Sequence, residues 1–217
     1  MVTRTGFLAG ASTALIEALE AVARPVVLKK GEVLIEQGDD GDALYSIETG
    51  VLEVSVLSEE GRKLTLDILR PGAMFGEIAL FDPGPRTATV MALEPARLLS
   101  VRNSDLLARL KDSPDLAVDM VKLAGQRMRL MNRQLTDQVF LPLSVRLARK
   151  LVYLAADRGD VVSMSQSELA EFTGATREAV SRTLSDWKAE GLVEPIRRGV
   201  RLIDRAALEQ MAAEGDI

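Results

Sequence analysis

Between Gly76 and Thr87 the chain carries residue types suited to holding a phosphate and a sugar. Gly76-Glu77-Ile78-Ala79 is followed, after Asp82-Pro83-Gly84-Pro85, by Arg86-Thr87. Gly76 lacks the Cβ that keeps a ligand off the backbone, so amide N–H groups around Glu77, Ile78 and Ala79 can face an anion. Arg86 offers a planar cationic fork and Thr87 a hydroxyl, both matched to phosphate oxygens. Glu77 repels a phosphate, so its role here is to accept hydrogen bonds from sugar hydroxyls, as the acidic residue of a dinucleotide fold does for ribose. One phosphate, one ribose and a single arginine point to a mononucleotide. Taken singly, Gly-Glu is a turn and an arginine is a solvated surface residue; the ordered combination carries the reading.

A second constellation lies near the C-terminus. Ser165 with Glu168 forms a capping box, Gly174 supplies a tight turn and Thr176 caps the next helix, which is the pattern of a helix-turn-helix. Leu169, Phe172, Val180, Leu184 and Trp187 then fall inside, leaving Arg177, Glu178, Ser181 and Arg182 on an outward face. By spacing alone this is equally a structural helix pair and a DNA-binding one. Downstream, Leu192-Val193-Glu194 and Val200-Arg201-Leu202-Ile203 bracket Ile196-Arg197-Arg198-Gly199, a hairpin whose Arg197, Arg198 and Arg201 either meet phosphates or sit in a solvated turn.

Positioning these groups requires two kinds of element. From Pro25 to about Val101 short runs of Val, Ile, Leu and Thr are broken by Gly, Pro and Asp, a strand signature. Residues 51–57 and 64–69 alternate around a turn at Ser58-Glu59-Glu60-Gly61, so a small roll or barrel is expected. Val54 and Leu66 then point inward, lining either an apolar pocket or an ordinary core. Beyond Ser104 the period becomes helical to about Leu141, with Pro114 near the start of the longest segment and Pro142 closing it. Ala117, Met120, Ala124, Met128, Met131 and Leu135 form a seam flanked by Arg127, Arg129 and Arg133, placed to pack on its own domain or on an identical helix. A further helix runs from Pro142 to about Ala156, with a hinge at Phe140-Leu141-Pro142. At the start, Arg4, the apolar Phe7–Ile16 run and Ala21-Val22-Ala23 imitate a signal peptide. Glu17 and Glu20 interrupt that run, and Leu15, Leu19 and Val22 behind a Ser12 or Thr13 cap describe a short amphipathic docking helix instead.

Length and composition narrow the function. The 217 residues, 47% hydrophobic, suffice for two small domains and contain no stretch long enough to span a membrane. A net charge of −5 argues against a globally basic nucleic-acid binder but leaves local basic patches open. With no cysteine and no histidine, disulfides, thiolate chemistry, cysteine-ligated clusters and the commonest general base are excluded. No nucleophile–base pair or metal cluster stands out, so an enzyme is the weakest reading.

The Gly76–Ala79 and Arg86-Thr87 pattern resembles the phosphate-binding cassette of the cyclic-nucleotide-binding domain. Gly31-Glu32, Gln37-Gly38-Asp39, Asp42, Leu44-Tyr45, Ile47 and Gly50 extend the likeness. The run from Gly174 through Arg177-Glu178 to Arg182-Thr183-Leu184 resembles the recognition helix of the cyclic-AMP receptor protein (Crp/Fnr) superfamily, and the whole chain looks like a member of it. The resemblance implies an α+β fold in three parts. Residues 1–113 form a jelly-roll-like cyclic-nucleotide-binding β-roll with an N-terminal helix, 114–141 a dimerisation helix and hinge, and 142–217 a winged helix-turn-helix. It further implies a cytoplasmic parallel homodimer without a cofactor or metal, with cyclic AMP or cyclic GMP as allosteric ligand. Met131 and Asn132 fall where the family reaches the adenine, one of them across the dimer, and Met131 departs from the family's common hydroxyl residue. Ser165, Thr176, Arg177, Glu178, Ser181, Arg182, Arg197 and Arg198 become the DNA-contacting set, on an inverted repeat close to TGTGA. The stretch Asp157–Met164 is shorter than the loop with which well-studied members touch RNA polymerase. A regulator that binds DNA without nucleotide, or that answers another small effector, remains the alternative.

Overall fold

Glycine and proline punctuate the first half of the chain and helix caps the second, and the architecture changes where that punctuation changes. The structure is a computed structural model that describes residues 11–156 and 159–214. It divides into two units, one of residues 1–61 and 66–131, the other of 62–65 and 132–217. Arg4, Phe7, Asp157 and Arg158 lie outside the described residues.

The first unit opens with α1 (Thr13–Glu20), whose N-cap Ser12 accepts a hydrogen bond from the Leu15 amide at 3.2 Å. Ten strands follow: β1 (Arg24–Leu28), β2 (Val33–Ile35), β3 (Asp40–Gly41), β4 (Ala43–Thr49), β5 (Leu52–Leu57), β6 (Lys63–Leu69), β7 (Met74–Phe75), then, after the single-turn α2 (Ile78–Phe81), β8 (Gly84–Pro85), β9 (Thr89–Ala92) and β10 (Ala96–Arg102). They pair as two four-stranded sheets, β1-β10-β4-β7 and β2-β9-β5-β6, and the short ladder β3-β8. Leu28, Ile47, Phe75 and Leu98 from the first sheet and Ile35, Leu52, Leu69 and Val90 from the second bury one shared core. The turn at Ser58–Gly61 closes with Gly61 N–H on the Ser58 carbonyl at 2.9 Å. In β6 the side chain that packs into the core is that of Thr65 rather than Leu66. Thr65 is buried and Leu66, on the opposite face of the strand, is 42% exposed.

After β10 come α3 (Asn103–Asp112) and the 27-residue α4 (Pro114–Phe140). Leu116, Met120 and Leu123 of α4 pack with Leu15, Ile16 and Leu19 of α1, Leu106 of α3 and Leu44 of β4. Full burial of side chains such as Leu15 and Leu123 contributes about 1.5–3 kcal/mol each. This corrects the register of the expected seam, since Met120 belongs to the core. The exposed apolar row is Val118, Val121, Met128, Leu135 and Val139, with Gly125 and Asn132 completing an alternating three- and four-residue spacing.

The second unit contains α5 (Leu143–Ala155), β11 (Val161–Val162), α6 (Gln166–Thr173), α7 (Arg177–Ala189), β12 (Val193–Ile196), β13 (Gly199–Leu202) and α8 (Arg205–Ala213). The strands form one antiparallel sheet ordered β11-β13-β12. Leu147, Leu151, Leu169, Phe172, Val180, Leu184 and Trp187 are all buried. Sequence reading did not anticipate α8. Its signals are the Asp204 side chain, which accepts from the Ala207 amide at 2.9 Å, and the fully buried Leu208.

Candidate functional site

Gly76 ends β7 with φ 79°, and a Cβ there would stand 2.8 Å from the Ala43 carbonyl oxygen and 3.1 Å from Arg86 Nη1. A side chain is excluded by both the left-handed backbone and the lack of room. Glu77 follows as the cap of α2 and is only 4% exposed. A carboxylate so buried needs a partner, and Arg127 of α4 supplies it: its Nε lies 2.5 Å from Glu77 Oε1, out of line for a hydrogen bond. Sequence reading placed Arg127 beside the seam and missed this pairing. The available signal was its position one helical turn before Met131.

Arg86 is fixed at both its backbone and its head. Its amide donates to the Asp39 carbonyl at 2.7 Å, and its carbonyl accepts from Gly38 N–H at 2.9 Å. Nη1 donates to the Ala43 carbonyl at 3.0 Å, and the guanidinium sits 5.9 Å from the centre of the Tyr45 ring. Tyr45 in turn stacks on Phe75, with centroids 5.3 Å apart. Nε and Nη2 of Arg86 have no hydrogen-bond partner among the described residues, leaving cationic donors free for an anion.

Thr87 and Ile78 are exposed, whereas Ala79 is 5% exposed. The Ala79 carbonyl accepts from Asn103 Nδ2 at 3.1 Å, and the Asn103 amide donates to the Asp42 carbonyl at 2.6 Å. Asn103 thus joins α2, the loop before β4 and the start of α3. Val54 is half-buried against the roll core. Met131 and Asn132 are both exposed. The described residues hold no group of three or more metal-ligating side chains.

In the second unit, Ser165 and Glu168 form both bonds of the capping box: Ser165 N–H to Glu168 Oε2 at 2.7 Å, and Glu168 N–H to Ser165 Oγ at 3.3 Å. Gly174 ends α6 in the left-handed region at φ 63°. Thr176 Oγ1 accepts from the Ala179 amide at 3.2 Å and starts α7. Arg177, Glu178 and Arg182 are exposed and Ser181 is half-buried. None of the three charged residues has an ion-pair partner among the described residues. Arg197 and Arg198 are exposed at the β12–β13 turn, with Arg198 at φ 59°. Arg201 differs from them: its guanidinium pairs with Glu194 at 2.6 Å, so its charge is already partly offset.

The end of α4 is tied to α5 and α6, and α5 in turn to α8. Arg149 donates through Nη1 to Asp137 Oδ2 at 2.6 Å and through Nε to the Ala212 carbonyl at 2.7 Å, while Gln138 Nε2 donates to the Thr173 carbonyl at 3.2 Å. A cation at a helix C-terminus also opposes the helix dipole. Arg149→Met, which keeps the apolar stem, is expected to lower stability by about 1.5–3 kcal/mol, measured as a fall in the urea midpoint with unchanged slope.

A β-roll with an arginine head and a buried carboxylate near Gly76, and a second unit with a capped helix-turn-helix and hairpin, is the arrangement of a DNA-binding regulator with a nucleotide-binding domain. Residues 25–113 match the cyclic nucleotide-binding domain family and residues 145–211 the Crp-like helix-turn-helix domain. The chain is 33% identical over 184 residues to a cyclic AMP receptor protein of Thermus thermophilus, covering 84% of this chain and 85% of that one. It is 29% identical over 220 residues to a CRP-like cAMP-activated global transcriptional regulator of Mycobacterium tuberculosis, covering 98% of each. A solved CRP/FNR-family transcriptional regulator from Thermus thermophilus superposes with a TM-score of 0.74 at 26% identity, covering 89% of this chain and all of that one. The chain belongs to the Crp/Fnr superfamily of transcription regulators. Its matched relatives are regulators, not enzymes, and no helix among the described residues is long and apolar enough to cross a membrane.

Proposed function

We propose that the protein is a homodimeric, cyclic-AMP-responsive transcription regulator that binds an inverted repeat close to TGTGA. The observation that carries this reading is the pairing of Arg86, with donors to spare, and Glu77, whose carboxylate touches α4 through Arg127. In this reading Arg86, the Thr87 hydroxyl and the amides after Gly76 hold the cyclic phosphate, and Glu77 accepts from the ribose hydroxyl. A ribose on Glu77 competes with Arg127 for the same oxygens. Ligand therefore has different contacts in two arrangements of α4, which is the condition for it to shift an equilibrium between them.

The exposed row of α4 supports dimerisation through a second copy of that helix, as five apolar residues at coiled-coil spacing are left uncovered. Met131 lies one turn beyond Arg127, and Asn132 falls in the exposed row, so each Asn132 serves the base in the other protomer's pocket. Its amide both donates and accepts toward a purine edge. Asn132→Ala is expected to narrow the preference for cyclic AMP over cyclic GMP by roughly tenfold, one good hydrogen bond's worth; an untouched ratio in competition titrations removes Asn132 as the reader. Met131, where the family commonly has a hydroxyl, favours the second reading of a different small effector. Calorimetry of the pure protein with cyclic AMP and cyclic GMP, followed by DNA titration with and without the better binder, decides between them. No heat with either nucleotide and full DNA affinity in their absence would overturn the proposal.

A further inference from the structure

Gly41 is a glycine without a backbone reason. Gly31, Gly38, Gly50 and Gly76 all have positive φ, but Gly41 does not. It sits on β3, paired across the ladder with Gly84 of β8, and its neighbour Asp40 pairs with Pro85. A glycine inside a strand weakens it, and commonly marks a place where something passes close to the backbone. Here that something is the Arg86 side chain. A Cβ built on Gly41 would overlap Arg86 Cδ, Nε and Cζ, while on the other side Gly76 leaves room for Nη1.

We infer that Gly41 is a positioning residue for the ligand's phosphate: its missing side chain, with that of Gly76, forms a slot that aims the Arg86 guanidinium. This rests on the nucleotide reading of the pocket. Arg86 emerges from β8 with its amide and carbonyl pinned to Asp39 and Gly38, so the backbone cannot retreat to make space. The side chain must cross Gly41 to reach the Ala43 carbonyl and the Tyr45 face. An arginine has many rotamers, and a free one loses that freedom only when ligand binds; a slot removes the loss beforehand. Adding a methyl group at position 41 closes the slot. Because the atoms it displaces are the far end of a flexible side chain and the backbone there suits any residue, the fold tolerates the change while Arg86 does not.

The test is Gly41→Ala in the full-length protein, read in two ways. The first is the Arg86 Nε–H resonance in the ligand-free protein, assigned by its disappearance in Arg86→Ala. The second is calorimetric affinity for cyclic AMP, with thermal melting as the control for the fold. The expected result is that the resonance moves to the position of a freely solvated arginine, that affinity falls roughly 10- to 100-fold, the scale of one charge-assisted hydrogen bond, and that the melting temperature falls by no more than the few degrees that loss of the Ala43 hydrogen bond accounts for. An unmoved resonance overturns the slot. A moved resonance with wild-type affinity overturns its role in binding. Absence of cyclic-nucleotide binding by the wild-type protein overturns the pocket reading itself, an outcome distinct from either.

Discussion

Arg86→Leu is expected to weaken cyclic-nucleotide binding by about 2–5 kcal/mol, because it leaves a desolvated phosphate without its cationic partner. The other cation at the site, Arg127, is already engaged by Glu77. Leucine preserves the first carbons of the side chain, so the roll keeps most of its packing. The Ala43 carbonyl loses its donor, a cost of about 1 kcal/mol to the unit's stability. Arg86→Lys separates charge from geometry. A lysine keeps the charge but not the planar fork, and its affinity should fall between wild type and Arg86→Leu. Calorimetry with cyclic AMP and thermal melting of the same samples are the measurements. Equal affinity for wild type and Arg86→Leu would remove Arg86 from the phosphate site and the nucleotide reading with it.

What the sequence made legible is what neighbouring residues decide between themselves. Ser165 and Glu168 stand three residues apart, and both bonds of their box form within that turn. Gly174 and Thr176 mark the break between α6 and α7 by the same short-range logic. Groups that meet only through the fold were not legible. Glu77 and Arg127 are distant in sequence, and nothing local to either residue announces the other. Gly41 looks like any turn glycine until Arg86 is seen to cross it. The register of α4 failed for a related reason. The helix carries two apolar rows, one entering the core through Leu116, Met120 and Leu123 and the other exposed through Val121, Met128 and Leu135. Periodicity finds both rows and cannot say which of them the roll and α1 will cover. β6 shows the strand version of the problem: alternation puts Thr65 and Leu66 on opposite faces, but does not say which of them packs in the core.

The recognition helix gives the other large effect. Glu178→Ala and Arg182→Ala are each expected to cost about 1–3 kcal/mol of specific DNA affinity and to relax preference at their own base pair. Arg177, Glu178 and Arg182 are exposed near the capped N-terminus of α7, the end that enters a major groove in this class of motif. They carry no intramolecular ion pairs among the described residues, so no internal contact has to break before they meet a base. An arginine there pairs bidentately with guanine O6 and N7, and a glutamate accepts from cytosine N4, which places G·C pairs under this face. In the proposed dimer, two copies related by a twofold axis would read an inverted repeat, with the half-sites close to TGTGA that the proposal expects. The hairpin arginines should behave differently. Arg197→Ala and Arg198→Ala are expected to weaken binding on every sequence alike and to lower the slope of affinity against salt, as phosphate contacts do. Arg201, paired with Glu194, should matter less than either. Binding-site selection from a random pool, run on wild type and on Glu178→Ala, measures this directly. An unrelated motif, or the same motif from both proteins, would show that α7 does not read bases through this face.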